Sequence, residues 1–405
     1  MARTKLDRLK PRLIHSALSC AQKNKRLESS TLDQWVALSY GALDVSGISD
    51  FGTTEVLVTP TLPSMPLALS NLGADLYRRL VNGPVPSSAF TQEELVVIHE
   101  MAAVGLASSN HMHDARQTSL PKPWMLSPQH ELVYAIVANV AREQQIDLVF
   151  VKGPILHAQG VRDREHSGDV DPLVRSEHVD LLSEALIPWG WSPKPYLWEG
   201  TEVAHSRTLV PNESWGCEID VHRRMYGSAL SDEDAFSVIM QHTESAEFAG
   251  NPALVPQNYA GAILALLRAM VAFPGKALPP SAKSLAVETL RRGGEHAPDF
   301  ASELDVLIAL KDALQEAFPE RKIDFSNAGQ PRDWLNRAQA NSTRYYLASL
   351  KDIPFSKRPA ALWKALWPTS ELSLISERIS GGSTQNVTLA RLRRLGRGLV
   401  GLFRS

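Results

Sequence analysis

Two short stretches of this 405-residue chain carry residues whose types and spacing could do chemistry on a phosphate. In VFVKGPILHAQGVRDREHSGDVDPLV, residues 149–174, Asp169 and Asp171 stand two apart on a segment patterned as a strand. Side chains two apart leave a strand from the same face, so the two carboxylates could together hold a hard divalent cation. In CEIDVH, residues 217–222, Glu218, Asp220 and His222 likewise share one face. If this strand lies beside the first, Asp220 brings a third carboxylate. Three carboxylates around one or two Mg2+ (or Mn2+) ions suit in-line displacement at phosphorus, with the metals clamping the attacking and leaving oxygens. Lys152 and Gly153 end a buried apolar run, and Pro154 suits the first turn of a following helix. Backbone N–H groups, a helix end and an ammonium at that junction could seat phosphate. Arg162 and Arg164, in the loop between, could bind a triphosphate or simply be solvated. Glu218 reads as a supporting acid or a solvated one, and His222 as a neighbour orienting Asp220. A lone Asp-x-Asp is common on solvated strands; it is the order of all these residues that points to nucleotidyl or phosphoryl transfer from an NTP.

The elements that must position them read as α+β. A helix over 129–144 leads into a strand at 147–151, a second strand spans 169–174, and Ser176 caps a helix ending near Ile187. Further strands are predicted at 202–210 and 216–222. Beyond Pro256 the pattern is helical, over 259–273, 281–292, 303–318 and 334–350. Upstream, apolar spacing predicts a helix over 6–18 and a second helical pattern around Trp35–Leu38, followed by a strand at 55–58 and a helix at 69–80. Thr91 with Glu94 three residues on forms a capping-box signature for a helix with Leu95, Ile98, Met101, Ala102 and Leu106 on its apolar stripe. The expected organisation is a helical and winged-helix-like N-terminal domain over 1–110, a proline-containing linker over 111–128, a mixed-sheet core with flanking helices over 129–255, a helical domain over 256–350 and a tail over 351–405. The end of that tail, 387–405, has arginines and a leucine stripe without an acid, and could lie on an anionic membrane or a partner. Gly396, Gly398 and Gly401 weaken it as a helix, so a frayed, solvated segment is expected.

Lys152-Gly153, an arginine-containing loop, Gly168-Asp169-Val170-Asp171 and Asp220-Val221-His222 resemble, in that order, the signatures of an uncharacterised bacterial nucleotidyltransferase family of the DNA-polymerase-β-like superfamily. The resemblance covers about residues 130–345. It implies Asp169 and Asp171 as the metal-binding pair, Asp220 as the third catalytic carboxylate, and Lys152-Gly153 as the counterpart of the superfamily's Gly-Ser nucleotide loop. Pro172 departs from the family's apolar residue after the second aspartate, and the loop over 162–167 departs from its arginine spacing. Residues 45–108 resemble, by pattern alone, small winged-helix peptide-recognition domains of PqqD type, which implies a peptide or protein acceptor.

Composition narrows the alternatives. The formal net charge of −2 gives no global footprint for nucleic acid, and two distant cysteines exclude a disulfide scaffold or a Cys-rich zinc site. No apolar run reaches the ~18 residues of a membrane span, and the N-terminus lacks the apolar block of a secretory signal, so a cytoplasmic protein without an integral membrane segment is expected. The competing functions are a non-catalytic peptide-binding module with a degenerate transferase domain, and a metal-dependent phosphohydrolase with water as acceptor.

Overall fold

The computed structural model describes residues 34–403 apart from 111, 166–167, 271–273, 275–276, 327 and 330; the helix expected over 6–18 lies outside the described residues. The chain divides into two units, Met1–Pro123 and Trp124–Ser405.

In the first unit, strands β1 (Gln34–Ala37), β2 (Gly41–Asp44), β3 (Val56–Thr59) and β4 (Leu67–Leu69) precede helix α1 (Asn71–Val81), strand β5 (Val85–Pro86), helix α2 (Gln92–Ala103) and strand β6 (Ala107–Ser108). Two antiparallel three-stranded sheets form, ordered β5-β1-β6 and β2-β3-β4. The helical pattern expected around Trp35–Leu38 is instead strand β1. Trp35 to Leu38 are all buried, so this is a continuously apolar central strand, and a short apolar run carries no periodicity that separates it from a helix. Residues 115–121 of the expected linker run along this unit: Ser39 donates from its amide to the Ala115 carbonyl, Asp44 to that of Pro121, and Gln117 receives a buried bond from the Ser39 hydroxyl.

The capping box forms in full. The Thr91 hydroxyl accepts from the Glu94 amide at 3.2 Å, and the Glu94 carboxylate accepts from the Thr91 amide at 2.7 Å and pairs with Arg79 at 2.6 Å. Thr91→Ala should therefore lower the stability of this unit by about 1 kcal/mol, read as a shift of its thermal unfolding by circular dichroism.

The second unit opens with α3 (Pro128–Glu143), β7 (Leu148–Phe150), the single-turn α4 (Ile155–Ala158), β8 (Asp169–Val170), β9 (Pro172–Val174), α5 (Val179–Ala185), β10 (Trp191–Pro193), β11 (Ser206–Pro211) and β12 (Glu218–His222). It continues through α6 (Asp232–Gln241), the hairpin β13 (Thr243–Phe248) and β14 (Asn251–Pro256), α7 (Asn258–Ala269), α8 (Ser281–Gly293), α9 (Ala297–Glu303) and α10 (Leu307–Ala317). Then follow α11 (Arg332–Arg337), α12 (Ser342–Ser349), α13 (Arg358–Leu366), α14 (Ser370–Ile379) and α15 (Val387–Phe403). The result is an α+β fold around a mixed eight-stranded sheet ordered β10-β11-β12-β9-β7-β14-β13, with β8 also against β12.

Helix α3 is apolar on every side from Leu132 to Val137, as a helix covered all round must be; its Tyr134 ring stacks on Phe248 at 4.6 Å. Helices α7 to α10 share one core with the sheet, in which Val149, Val151 and Leu173 meet Phe236, Ile263, Leu267, Phe300 and Leu314. The helix expected over 303–318 is broken at Asp305, whose φ of 51° cannot continue a helix, and the one over 334–350 is interrupted before the Asn341 cap. The hairpin β13–β14 has no counterpart in the sequence-based expectation. Its turn uses Ala249 and Gly250 at φ 48° and 79°, a left-handed pair that Asn-Gly would have announced and Ala-Gly does not. Residues 387–403 form helix α15 rather than a frayed end. Ala390 is buried, and Arg393 and Arg397 both reach the Glu377 carboxylate, at 2.7 and 3.2 Å. No helix among the described residues is long and apolar enough to cross a membrane.

Candidate active site

Strand pairing brings the two acidic stretches together. β12 runs parallel to both β8 and β9, with Glu218 opposite Asp169, Ile219 opposite Val170 and His222 opposite Leu173. The constant offset sets Asp220 level with Asp171, and because side chains alternate, Asp169, Asp171, Asp220 and His222 emerge on the same side. Pro172 explains why the expected strand at 169–174 is two pieces. It cannot donate a ladder bond, so it begins β9 opposite Phe150, and Asp171 sits at the break with its carbonyl accepting from the Val151 amide at 3.1 Å.

Asp171, Asp220 and His222 offer ligand atoms that all lie within 4.8 Å of one another. Asp171 is buried, and its Oδ1 accepts from Lys152 Nζ at 2.6 Å and from His222 Nε2 at 2.8 Å. Burial alone would raise its pKa, but the His222 hydrogen bond and the Lys152 charge outweigh it and hold this carboxyl well below the usual range. Burial and the Lys152 ammonium push the His222 pKa down. A neutral ring that donates from Nε2 to Asp171 keeps Nδ1 as an acceptor, and this buried nitrogen has no hydrogen-bond partner among the described residues. The hydroxyl of Thr208, which faces Asp220 across β11–β12, donates to Asp220 Oδ1 at 2.5 Å.

The other expected residues take definite places around this group. Lys152 is engaged with Asp171, its Nζ merely lying near the same His222 nitrogen, and α4, which follows Gly153, has one turn and so only a small dipole to offer an anion. His222 bonds Asp171, not Asp220. Arg162 lines the pocket, and its guanidinium also donates to the backbone carbonyls of Gly153, Arg164 and Glu165, which braces the loop. Arg164 is exposed on the pocket lining. Glu218 lies outside that lining, half exposed and paired with Lys194 at 2.9 Å.

Asp169 lies outside the tight group of three but lines the same pocket, and burial together with the Asp171 and Asp220 charges pushes its carboxyl up to about 6. The folded state thus keeps the Asp169 proton up to about pH 6, whereas the unfolded chain releases it near 3.8. The folded protein binds more protons across this window, so this group makes stability fall as pH rises through it. Asp169→Asn should flatten that slope and stabilise the metal-free protein at neutral pH by about 1 kcal/mol, a figure reduced for solvent screening at a partly exposed group. Denaturant unfolding across the pH range measures both.

The pocket is a cavity of about 590 Å³ whose lining also includes His205, Thr208, Arg224, Tyr226 and Arg268. Sequence reading missed all five. His205 Nδ1 lies 2.6 Å from the Tyr226 hydroxyl, and burial holds the His205 pKa well below the usual histidine value. The Arg337 guanidinium covers the Tyr226 ring at 3.8 Å. Ser206-x-Thr208 in β11 carries the same period-two polarity as Asp220-x-His222, which is the signal that could have found Thr208; Tyr226 and Arg268 reach the pocket from elements with no such pattern.

Two carboxylates at one register with a buried imidazole form a donor set that could hold a metal ion, with Asp171 then shared between the ion and Lys152. No family model and no curated protein matches the chain. Among solved structures, it is similar to the antibiotic-resistance factor ANT(2'')-Ia, at 15% identity and a TM-score of 0.28, over 45% of this chain and 91% of that one. It is also similar to a tRNA-processing enzyme in its apo form, at 13% identity and a TM-score of 0.18, over 65% of this chain and 87% of that one. Likenesses this slight carry no conclusion about fold or activity.

Proposed function

We propose that this pocket binds a nucleoside triphosphate with Mg2+ or Mn2+ and transfers its nucleotidyl group to a hydroxyl-bearing acceptor, a protein, an RNA end or a small molecule. One observation carries the reading: Asp171 and Asp220 stand at the same level of two parallel strands, with Asp169 on the same side, and open into a cavity also lined by Lys152, Arg164, Arg224 and Arg268. Acids and bases mixed in this way fit a metal–triphosphate complex better than either a bare anion or a bare cation. Asp169, Asp171 and Asp220 would hold the cation, which when bound would offset charge on the triphosphate. Lys152, released in part from Asp171, and the exposed Arg164 would meet phosphate oxygens. In the transfer the acceptor oxygen bonds to the α-phosphorus, the bond to the bridging oxygen breaks and pyrophosphate leaves. Asp220, fixed at one oxygen by Thr208, is placed to take up the acceptor proton.

Incubation with each α-labelled NTP, Mg2+ and cell extract tests this. Label should appear on an acceptor and vanish with Asp220→Asn. Label released only as free nucleotide would make the protein a phosphohydrolase instead, and no Asp220-dependent change in label would overturn a catalytic role.

A further inference from the structure

Residues 351–405 carry ten lysines and arginines against three acids, a local charge of +7 in a chain whose total is −2. The same segment holds large apolar side chains that the fold leaves outside. On α13, Ala361 is buried and Ala365 half-buried, so the opposite side of the helix faces solvent: Leu362, Trp363, Leu366 and Trp367 are 43%, 66%, 46% and 42% exposed. Phe355, just before the helix, is 83% exposed. On α15, Ala390 faces inward and Leu392 and Leu399, one heptad apart, point out at 56% and 59%. The two helices adjoin, because Arg391 lies over the Trp367 ring at 4.9 Å and donates to the Pro368 carbonyl.

Burying one side of each helix and exposing tryptophan and leucine on the other is costly in water unless something covers it. The cations decide what that is. Arg393 and Arg397 share the single carboxylate of Glu377, and Lys357 pairs with Glu202. The surplus is spread along both helices. A basic groove for nucleic acid would offer flat aromatic platforms along its length, whereas here aliphatic side chains dominate the α15 face. Leucine and tryptophan at the level of a lipid interface, flanked by lysine and arginine at the level of headgroups, is the chemistry of a helix lying in a membrane surface.

We propose that α13 and α15 form a docking face for the surface of an anionic lipid bilayer. Tryptophan and leucine enter the interface and the arginines meet acidic headgroups, so binding needs both apolar surface and negative charge. The face is independent of the pocket chemistry, and the test reads binding alone.

Purified full-length protein is to be sedimented with phosphatidylcholine vesicles with and without phosphatidylserine, at low and high salt. Partition onto the phosphatidylserine vesicles should be at least about tenfold stronger and should fall with salt, because several basic residues contribute together. The triple variant Phe355→Ser, Trp363→Ser, Leu392→Ser should reduce it by about tenfold or more with an unchanged melting temperature, since all three side chains are already solvated. Should the triple variant melt early, wild-type salt and lipid dependence and Arg394→Gln alone decide the matter. Equal partition onto neutral and anionic vesicles, no partition at all, or displacement from phosphatidylserine vesicles by single-stranded RNA or polyglutamate would each overturn the proposal.

Discussion

Asp171→Ala is expected to cost the metal-free protein about 3 kcal/mol of stability and to remove metal-dependent turnover. Mutual repulsion among three acids would suggest the opposite sign, since deleting one should relieve the others. The structure separates the carboxylates. Asp171 accepts from both Lys152 and His222 while buried, so its removal strands an ammonium whose side chain is only 19% exposed. Losing one partner of such a pair costs several kcal/mol, and the small access of Lys152 to water places this case at the lower end. The pH dependence has a definite sign. The Asp171 carboxyl is held below its unfolded value, so its stabilisation is fully present above about pH 4 and is lost as the pH falls through the depressed folded value. The gap between wild type and Asp171→Ala should therefore narrow on acidification. Adding Lys152→Met to Asp171→Ala should recover part of the loss, because no unpaired charge then remains. Additive losses in the double variant would mean that the ion pair is not what Asp171 contributes.

The difference between Asp169 and Asp171 marks how far the sequence could be read. Period-two spacing is a local property, so the shared faces of Asp169 with Asp171 and of Asp220 with His222 were legible. The adjacency of the two strands was inferred only conditionally, because pairing 49 residues apart depends on where β7 and β9 meet, and no local pattern encodes that. The pairing of Lys152 with Asp171 was not legible, for a physical reason. A strand-Gly-helix junction suggests an anion seat, but α4 is a single turn, and with little dipole to compete the ammonium turns to the nearest buried carboxylate. Arg162 shows the same limit, since a loop arginine that braces three carbonyls has the sequence appearance of one that is free. Trp35–Leu38 and the β13–β14 hairpin failed differently: four apolar residues hold too little periodicity, and an Ala-Gly turn lacks the residue types that usually mark φ above zero. Long amphipathic helices such as α2, with its capping box, came through because several local signals agreed.

Asp220→Asn should separate chemistry from folding most cleanly. Asparagine keeps an oxygen to accept the Thr208 hydroxyl, so the β11–β12 contact survives and the melting temperature should change little. What disappears is a charge at the centre of the donor group, and with it most of the affinity for a hard cation; turnover should fall by about 100-fold or more, the scale of removing one preorganised electrostatic contact. A second readout needs neither metal nor substrate. Asp220 is one of the charges that push the Asp169 carboxyl up, so its neutralisation should lower the Asp169 pKa from about 6 and flatten the decline of stability with rising pH. Isothermal titration with Mg2+ and Mn2+, turnover of labelled NTP and denaturant unfolding across pH 4–7 measure the three effects on one variant. A flattened pH slope with native cation affinity would place Asp220 beside the metal site and not in it, whereas an unchanged slope would show that Asp220 and Asp169 do not share a field and that the carboxylates do not act as one group.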